Sequence, residues 1–496
     1  MIIYTDGHCF AYELEKLTRL FFPFEKIRFA KAPAEDQRGL YAEAVLTQTK
    51  DGASLYAKAA LEGRTACRSR VLSPGRTGDP NPEKEAERSL AALLFECYAE
   101  LTGYQPEWGI LTGIRPAKLY RRFSGLLGDG VATRFFQEEF RVTENKLSLL
   151  KETAAMEDAI IARSEPRSVS VYLSVPFCPS RCSYCSFVSH SIARAADLIP
   201  DYVGQLCREM EYTAEIIKKL GLRVMTVYVG GGTPTTLTAE QLNKVLTLAR
   251  KCFGDRLDEF TVEAGRPDTI TPEKLEALRF CGVTRISINP QTMNDAVLQN
   301  IGRRHTALQT VEAFEMARRA GFDNINMDLI AGLPGDTPDS FADTLDRVIR
   351  LNPESVTVHT LSLKRSSGMG VAGELACFAD AAGAGVMVEH ARERLTAAGI
   401  LPYYMYRQSK TVGNLENVGY AKRGREGLYN VYIMDETHTI LACGASAVTK
   451  LRSQGDGKIE RIFNFKYPYE YLTRFDEMLR RKERVEEFYH EHPVGD

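Results

Sequence analysis

Short apolar runs alternate with longer amphipathic stretches over the second part of the chain. Six runs rich in β-branched and aromatic residues predict strands: 170–175 (SVYLSV), 225–231 (MTVYVGG), 260–264 (FTVEA), 285–289 (RISIN), 324–332 (NINMDLIAG) and 355–361 (SVTVHTL). The intervening stretches carry a helical period, clearest where Val203, Leu206, Met210, Ile217 and Leu220 fall on about one face. Three helices are expected to begin at 238–242 (TAEQL), 271–275 (TPEKL) and 337–341 (TPDSF). In each, a threonine can cap the free amides, and an acidic residue or Gln stands in the first turn. Strands joined by helical crossovers predict a parallel sheet, and six such units predict an open partial barrel. Ligands of such sheets gather at the C-terminal strand ends.

The pattern before residue 165 is different. A strand is expected at 1–5 (MIIYT), a helix at 12–22 (YELEKLTRLFF), and β-like runs at 25–32 (EKIRFAKA) and 40–48 (LYAEAVLTQ). The turn-rich stretch 75–82 (GRTGDPNP) precedes a helix, with Asn81 as N-cap, Pro82 at N1 and an apolar face of Leu90, Leu94, Cys97 and Leu101. Trp108, the single tryptophan, opens 108–119 (WGILTGIRPAKL); an amphipathic helix is expected over 143–163 and a linker over 163–168 (RSEPRS). The division expected is an N-terminal α+β domain over 1–165, the partial barrel over 166–400, and a mixed β/helical extension over 401–496 that covers a substrate.

Composition narrows the class. The chain of 496 residues is too long for one ordinary core; 44% hydrophobic and 26% charged residues are those of a globular soluble protein. A formal net charge of −2 offers no general attraction to nucleic acid or anionic membrane. No apolar run has the length of a membrane span, and the N-terminus lacks a signal-peptide pattern, so the cytoplasm is the default expectation. Of 11 cysteines, eight are scattered singly, with Cys97 and Cys207 in helical patterns as small core residues.

The remaining three cluster in 178–187 (CPSRCSYCSF), just after the first strand of the barrel. Structural zinc wants four ligands, and no second pair accompanies Cys178, Cys182 and Cys185, although His190 is near in sequence. A 4Fe–4S cluster held by three thiolates keeps one iron open to a small molecule. Spacing alone favours the cluster over zinc or unligated thiols and leaves all three open.

Four segments occur in an order that resembles the coproporphyrinogen-oxidase-like branch of the radical SAM enzymes, HemN and HemW: 172–187 (YLSVPFCPSRCSYCSF), 230–235 (GGGTPT), 282–291 (GVTRISINPQ) and 328–335 (DLIAGLPG). Further stretches, 262–271 (VEAGRPDTIT), 288–293 (INPQTM), 359–365 (HTLSLKR) and 402–424, with 108–119 upstream, are similar to the subgroup called oxygen-independent coproporphyrinogen III dehydrogenases. The resemblance implies a 4Fe–4S cluster on Cys178, Cys182 and Cys185, with one S-adenosyl-L-methionine (SAM), or two. Tyr172 then matches a strand tyrosine that contacts SAM at the cluster, and Tyr184 an aromatic beside the last cysteine; the alternative for both is ordinary packing. Gly231, Gly232 and Thr233 match a turn that approaches the methionyl group, and a tight turn is equally their structural use. Glu263, Gln291, Arg303 and Asp328 match polar SAM contacts; for Glu263 and Asp328, in otherwise apolar strands, a buried ion pair is the competing role.

The reaction implied is oxidative decarboxylation of two propionates of coproporphyrinogen III to vinyls, giving protoporphyrinogen IX in anaerobic haem biosynthesis. It needs a low-potential electron donor such as flavodoxin or ferredoxin, and an electron acceptor. Cations expected to meet the propionates near the C-terminal strand ends are Lys364, Arg365, Arg407, Lys410, Lys422 and Arg423, with solvated surface as the plain alternative. Two departures stand out: Phe187 stands where HemN has a further cysteine, as in the haem chaperone HemW, and Pro290 stands where HemN has glycine before its glutamine, which changes backbone freedom beside Gln291. A haem-binding chaperone and an anaerobic haem-modifying radical SAM enzyme are the other readings.

Overall fold

The computed structural model describes residues 1–31, 39–50, 52–72, 84–186, 189–254, 256–362, 381–408 and 410–494. The chain divides into two compact units, Met1–Ala154 with Tyr406–Glu416, and Ala155–Met405 with Asn417–Asp496. This division differs from boundaries at 165/166 and 400/401, because an eleven-residue return of the C-terminal region packs with the N-terminal unit.

In the first unit, β1 (Ile2–Asp6), β2 (Arg28–Ala30), β3 (Tyr41–Thr49), β4 (Gly52–Leu61) and β5 (Arg64–Leu72) form one sheet in the order β2-β1-β3-β4-β5. The last three are antiparallel neighbours; β4 and β5 escape a reading by period because alanines and charged residues dilute their alternation. Helices Ala11–Phe21 and Glu85–Thr102 close the core, burying Leu14, Leu17, Leu90, Leu94, Cys97 and Leu101 as the apolar period requires. The expected caps Asn81 and Pro82 lie outside the described residues. Trp108 is buried and donates its indole N–H to Glu416 (2.6 Å), whose other oxygen pairs with buried Lys146 (2.7 Å).

The second unit contains every strand expected of the barrel. β6 (Ser168–Val175) leads to a small ladder of β7 (Phe177–Cys178) and β8 (His190–Ser191), then β9 (Arg223–Gly231), β10 (Glu259–Gly265), β11 (Arg285–Ile288), β12 (Ile325–Ala331) and β13 (Ser355–Thr360). Strands β6 and β9–β13 pair in sequence order and all run parallel. Thr238, Thr271 and Thr337 each cap a helix as expected, accepting from the amides of Gln241, Lys274 and Ser340. Beyond β13 the sheet continues through antiparallel β15 (Glu416–Ala421) to β14 (Leu401–Arg407). Beyond β6 it continues through parallel β16 (Thr439–Cys443), then antiparallel β17 (Val448–Arg452) and β18 (Ile459–Phe463).

The two faces of the parallel strands differ in kind. Val171, Leu173, Val227, Val229, Val262, Ile286, Ile288, Met327, Leu329 and Val358 point one way and are buried. The alternate residues are Ser170 and Tyr172, Thr226 and Tyr228, Thr261 and Glu263, Arg285 and Ser287, Asn326 and Asp328, Thr357 and His359. The helix Leu428–Asp435 lies against this polar face: Leu428 N–H donates to Glu259 (2.6 Å), and the Tyr429 ring stacks on Tyr228 at 4.6 Å.

The β16–β18 end is fastened by one buried carboxylate. Glu209, on helix Ile199–Lys219, pairs with Lys482 (3.0 Å) on helix Phe475–Glu491 and accepts from Tyr471 (2.6 Å), Asn464 (2.8 Å) and the amide of Gly444 (2.7 Å). Neither charged side chain is more than 2% exposed. Glu209→Ala strands a buried ammonium, and the expected loss of unfolding free energy is about 3–5 kcal/mol. Urea unfolding followed by far-UV circular dichroism measures it; a loss under about 1 kcal/mol contradicts this assignment.

Candidate functional site

The cysteine loop starts where β6 ends. Cys178 lies in β7, held by backbone pairing of Phe177 with His190, and Cys182 is buried while Cys178 and Cys185 are partly exposed. The glycine turn after β9 docks under it: the amide of Gly232 donates to Val175 O (2.8 Å) and that of Thr233 to Phe177 O (2.7 Å). A β-carbon on Gly232 would sit 2.5 Å from Phe177 O and 2.8 Å from Phe177 N, so a side chain there would push the two loops apart. Gly231 takes φ +108°, a conformation that favours glycine. Thr233 Oγ1 donates to Cys178 Sγ (3.6 Å). Further ties include Ser183 N–H to Ile301 O (3.1 Å) and Arg303 Nη2 to the Tyr184 hydroxyl (3.1 Å).

The donor set fits an iron–sulfur cluster. Three unbridged thiols lie within eight residues at the C-terminal end of a parallel sheet. Among the described residues no three His, Cys, Asp or Glu side chains converge as ligands to a single ion would. Cluster ligation asks for something else, one thiolate to each of three irons.

Two carboxylates project from the polar face of the parallel strands. Glu263 accepts from the Tyr228 hydroxyl (2.7 Å). Burial, with the Asp328 carboxylate adding to it, pushes its carboxyl up to about 7 against the effect of Tyr228. Burial also acts on Asp328, but hydrogen bonding and charge from His359, and hydrogen bonds from Asn326 and Thr357, outweigh it and hold that carboxyl below its ordinary value. The distances are 2.7 Å from Asn326 Nδ2 to Asp328 Oδ1 and 3.8 Å from His359 Nε2 to Asp328 Oδ2. One acid is thereby poised near neutrality while its neighbour stays ionised, an arrangement suited to two different roles.

The other expected residues take varied places. Gln291 is buried at φ +69° and bridges backbones, donating its N–H to Asp328 O (2.9 Å) and accepting from Ile330 N–H (3.0 Å). A non-glycine residue in this conformation is strained by about 1 kcal/mol. Tyr172 packs in a three-ring stack with Tyr228 and Tyr429, each 6.2 Å away. Arg303 also donates to Asn289 O (3.3 Å), on the same side as the cysteine loop.

Among the described residues of the second unit, the expected propionate cations Lys422 and Arg423 do not lie at the C-terminal strand ends. Arg407 is buried in the first unit, where it donates to the carbonyls of Leu111 and Asn414 and lies 5.3 Å from the Trp108 ring; Lys410 also belongs to that unit. Lys422 donates to Asn352 Oδ1 (2.7 Å), and its amide to Glu354 O, both just before β13. Because β15 runs antiparallel to β13, with Ala421 opposite Ser355, Lys422 and Arg423 come out at the N-terminal ends of the parallel strands. Lys364, Arg365 and Phe187 lie outside the described residues.

Sequence reasoning passed over Tyr228, His359, Arg266 and Tyr429. Tyr228 and His359 carry a signal, since each shares the inward parity of a residue already singled out, Tyr172 by register and Asp328 by contact. Tyr429 arrives from a helix remote in sequence, and nothing local marks it.

Glu263 gives the site a pH signature in the cofactor-free protein. Its folded value, about 7, lies above the ordinary 4.5, so the folded chain holds this proton more tightly. Its contribution therefore lowers stability as pH rises from about 4.5 through about 7, and is constant above. Glu263→Gln removes that slope. At pH 8 the variant is expected to be more stable than the parent by on the order of 1–3 kcal/mol, with the gap closing below pH 4.5. Parallel stability–pH curves for the two proteins would exclude the buried acid.

Residues 172–348 match the family model described as the radical SAM superfamily, whose cofactors are a 4Fe–4S cluster and SAM. The oxygen-independent coproporphyrinogen-III oxidase-like protein HemZ of Bacillus subtilis (strain 168) is 36% identical over 488 residues, 95% of each chain. The heme chaperone HemW of the same organism is 37% identical over 195 residues, 39% of this chain and 50% of the relative. The oxygen-independent coproporphyrinogen III oxidase of Escherichia coli (strain K12) is 34% identical over 199 residues, 40% and 43% of the two chains. No helix among the described residues is long and apolar enough to cross a membrane. With a full-length relative, the matched superfamily and six parallel strands under a three-cysteine loop, the chain belongs to the HemN/HemW-like branch of the radical SAM proteins.

Proposed function

We propose that this protein decarboxylates two propionates of coproporphyrinogen III oxidatively, giving protoporphyrinogen IX, with its cluster on Cys178, Cys182 and Cys185 and SAM at the adjoining strand ends. The observation that carries the reading is the match along 95% of both chains to a relative named for coproporphyrinogen-III oxidase likeness. When bound, the cluster supplies the electron that cleaves SAM to a 5′-deoxyadenosyl radical. Each reacting propionate loses a hydrogen atom from the carbon attached to the ring (β to its carboxylate), its carboxyl as carbon dioxide and one electron to an acceptor, leaving a vinyl. A low-potential donor such as flavodoxin or ferredoxin would load the first electron.

The chain's own residues divide the work in this reading. The three thiolates fix the cluster. Gly231 and Gly232 let the turn dock closely on the loop that carries the thiolates. Asp328, ionised, accepts from the amine or hydroxyls of SAM, and Arg303 offers its guanidinium to a carboxylate. Glu263, protonated near neutrality, can donate as well as accept. Tyr172, Tyr228 and Tyr429 present an aromatic layer beneath. One observation favours a second reading, a haem chaperone: Phe187 stands where HemN has a further cysteine, as in HemW. Anaerobic incubation with SAM, reductant, coproporphyrinogen III and an electron acceptor separates the two. Monovinyl and divinyl products support the decarboxylase, whereas a stoichiometric haem complex without turnover supports the chaperone.

Replacing Cys178, Cys182 or Cys185 by alanine is expected to abolish cluster assembly, while Cys207→Ala and Cys252→Ala retain it. Iron and sulfide analysis with the visible absorption spectrum measures this, and full iron in a triple-alanine protein would sink the assignment. Asp328→Asn is expected to weaken SAM binding by roughly ten- to a hundred-fold, the loss of a charged hydrogen bond worth about 1.5–3 kcal/mol, with iron content intact. Equilibrium dialysis of SAM reads the effect. Unchanged affinity with a lowered melting temperature would assign Asp328 to a structural pair instead.

A further inference from the structure

The cysteine loop is gripped at two points by guanidinium groups, and one of them has no place in the scheme above. Arg303 reaches Tyr184, between the second and third cysteines. Arg266 reaches Ser180, between the first and second: its Nη1 donates to Ser180 Oγ (2.8 Å) and to Ser180 O (3.2 Å). Two of its remaining donors form a fork to Asp268, Nε to Oδ1 (3.0 Å) and Nη2 to Oδ2 (3.0 Å). The Arg266 side chain is 4% exposed. Ser180 in turn passes a hydrogen bond from Oγ to Gly302 O (3.2 Å).

Arg266 is aimed there by an irregularity of its strand. The register of β10 against β11 slips between Glu263 and Gly265, and Gly265 takes φ +60°. Such a slip re-aims the residues that follow it. The bidentate pairing with Asp268 then holds the guanidinium plane, so that the bonds to Ser180 form without further loss of side-chain freedom.

We propose that Arg266 is a positioning residue for the cluster: locked by Asp268, it holds the segment between Cys178 and Cys182 in the conformation that receives iron. This rests on the assignment of the cluster to those cysteines. Three thiolates must reach three different irons, so a loose turn between two of them weakens retention without unfolding the barrel. A lysine at 266 has one donor group and cannot serve both Asp268 and Ser180 with the same geometry.

The test is anaerobic reconstitution of the full chain and of its Arg266→Gln, Arg266→Lys, Asp268→Asn and Ser180→Ala variants. The readings are iron and sulfide per chain, the rate of iron loss to an Fe(II) chelator, the electron paramagnetic resonance spectrum of the reduced cluster, and melting temperature. The parent is expected to hold its cluster, Arg266→Gln to release iron at least about tenfold faster, and Arg266→Lys, Asp268→Asn and Ser180→Ala to fall between. The effect of Ser180→Ala on release is expected to shrink in the Arg266→Gln background, a coupling that general destabilisation does not produce. Release from Arg266→Gln at the parent's rate, in a folded protein, would overturn the proposal. Should Arg266→Gln fail to fold, Ser180→Ala and Asp268→Asn decide it, and parent-like release in both overturns it equally. A parent that assembles no 4Fe–4S cluster would instead overturn the functional reading.

Discussion

The two-residue period of a parallel strand is the constraint on which this second unit rests. Each of β6 and β9–β13 must satisfy helices on one side and present something to the concave side on the other. The helix side is met by Val, Ile, Leu and Met at alternate positions. The concave side instead carries Ser, Thr, Asn, Tyr and charged groups, which are costly to bury unless paired. Pairing is accordingly dense: Asn326 donates to Ser287 (3.0 Å) and Asp328 (2.7 Å) and accepts from Ser355 (3.1 Å) and Thr357 (3.2 Å), linking three adjacent strands.

That pairing sets the chemistry available. Glu263 and Asp328 share a face and differ in environment. Glu263 has a single tyrosine donor and a neighbouring carboxylate, so burial prevails and its proton is retained to about 7. Asp328 has an imidazole and an amide as neighbours, so the anion prevails. The difference follows from which residues flank each acid across the sheet, not from the acids themselves. It places a switchable donor and a fixed acceptor on the same face of the sheet.

The loop illustrates how a site is made from segments distant in sequence. Its cysteines sit on a stretch with little regular structure of its own. Order comes from a glycine turn after β9, from the bulged end of β10 through Arg266, and from the turn around Ile301–Arg303. Gly232 is irreplaceable there for a steric reason, the proximity of Phe177 backbone, rather than for flexibility.

By itself the sequence determined the six parallel strands, the threonine-capped helices and the cysteine loop after the first strand, because each rests on local period, capping or spacing. Its motifs also identified the superfamily and the residues to examine at the strand ends. The tertiary structure decided what depends on direction and on remote partners. The cations of the C-terminal stretch looked usable for propionates by proximity in sequence, yet the antiparallel return of β15 carries Lys422 to the opposite end of the sheet, and burial commits Arg407 to backbone carbonyls. Tyr429 and Arg266 gain their places through a helix and a bulge that no periodicity announces. Local free energy is written in neighbouring residues and can be read from them; strand direction and desolvation are properties of the assembled sheet.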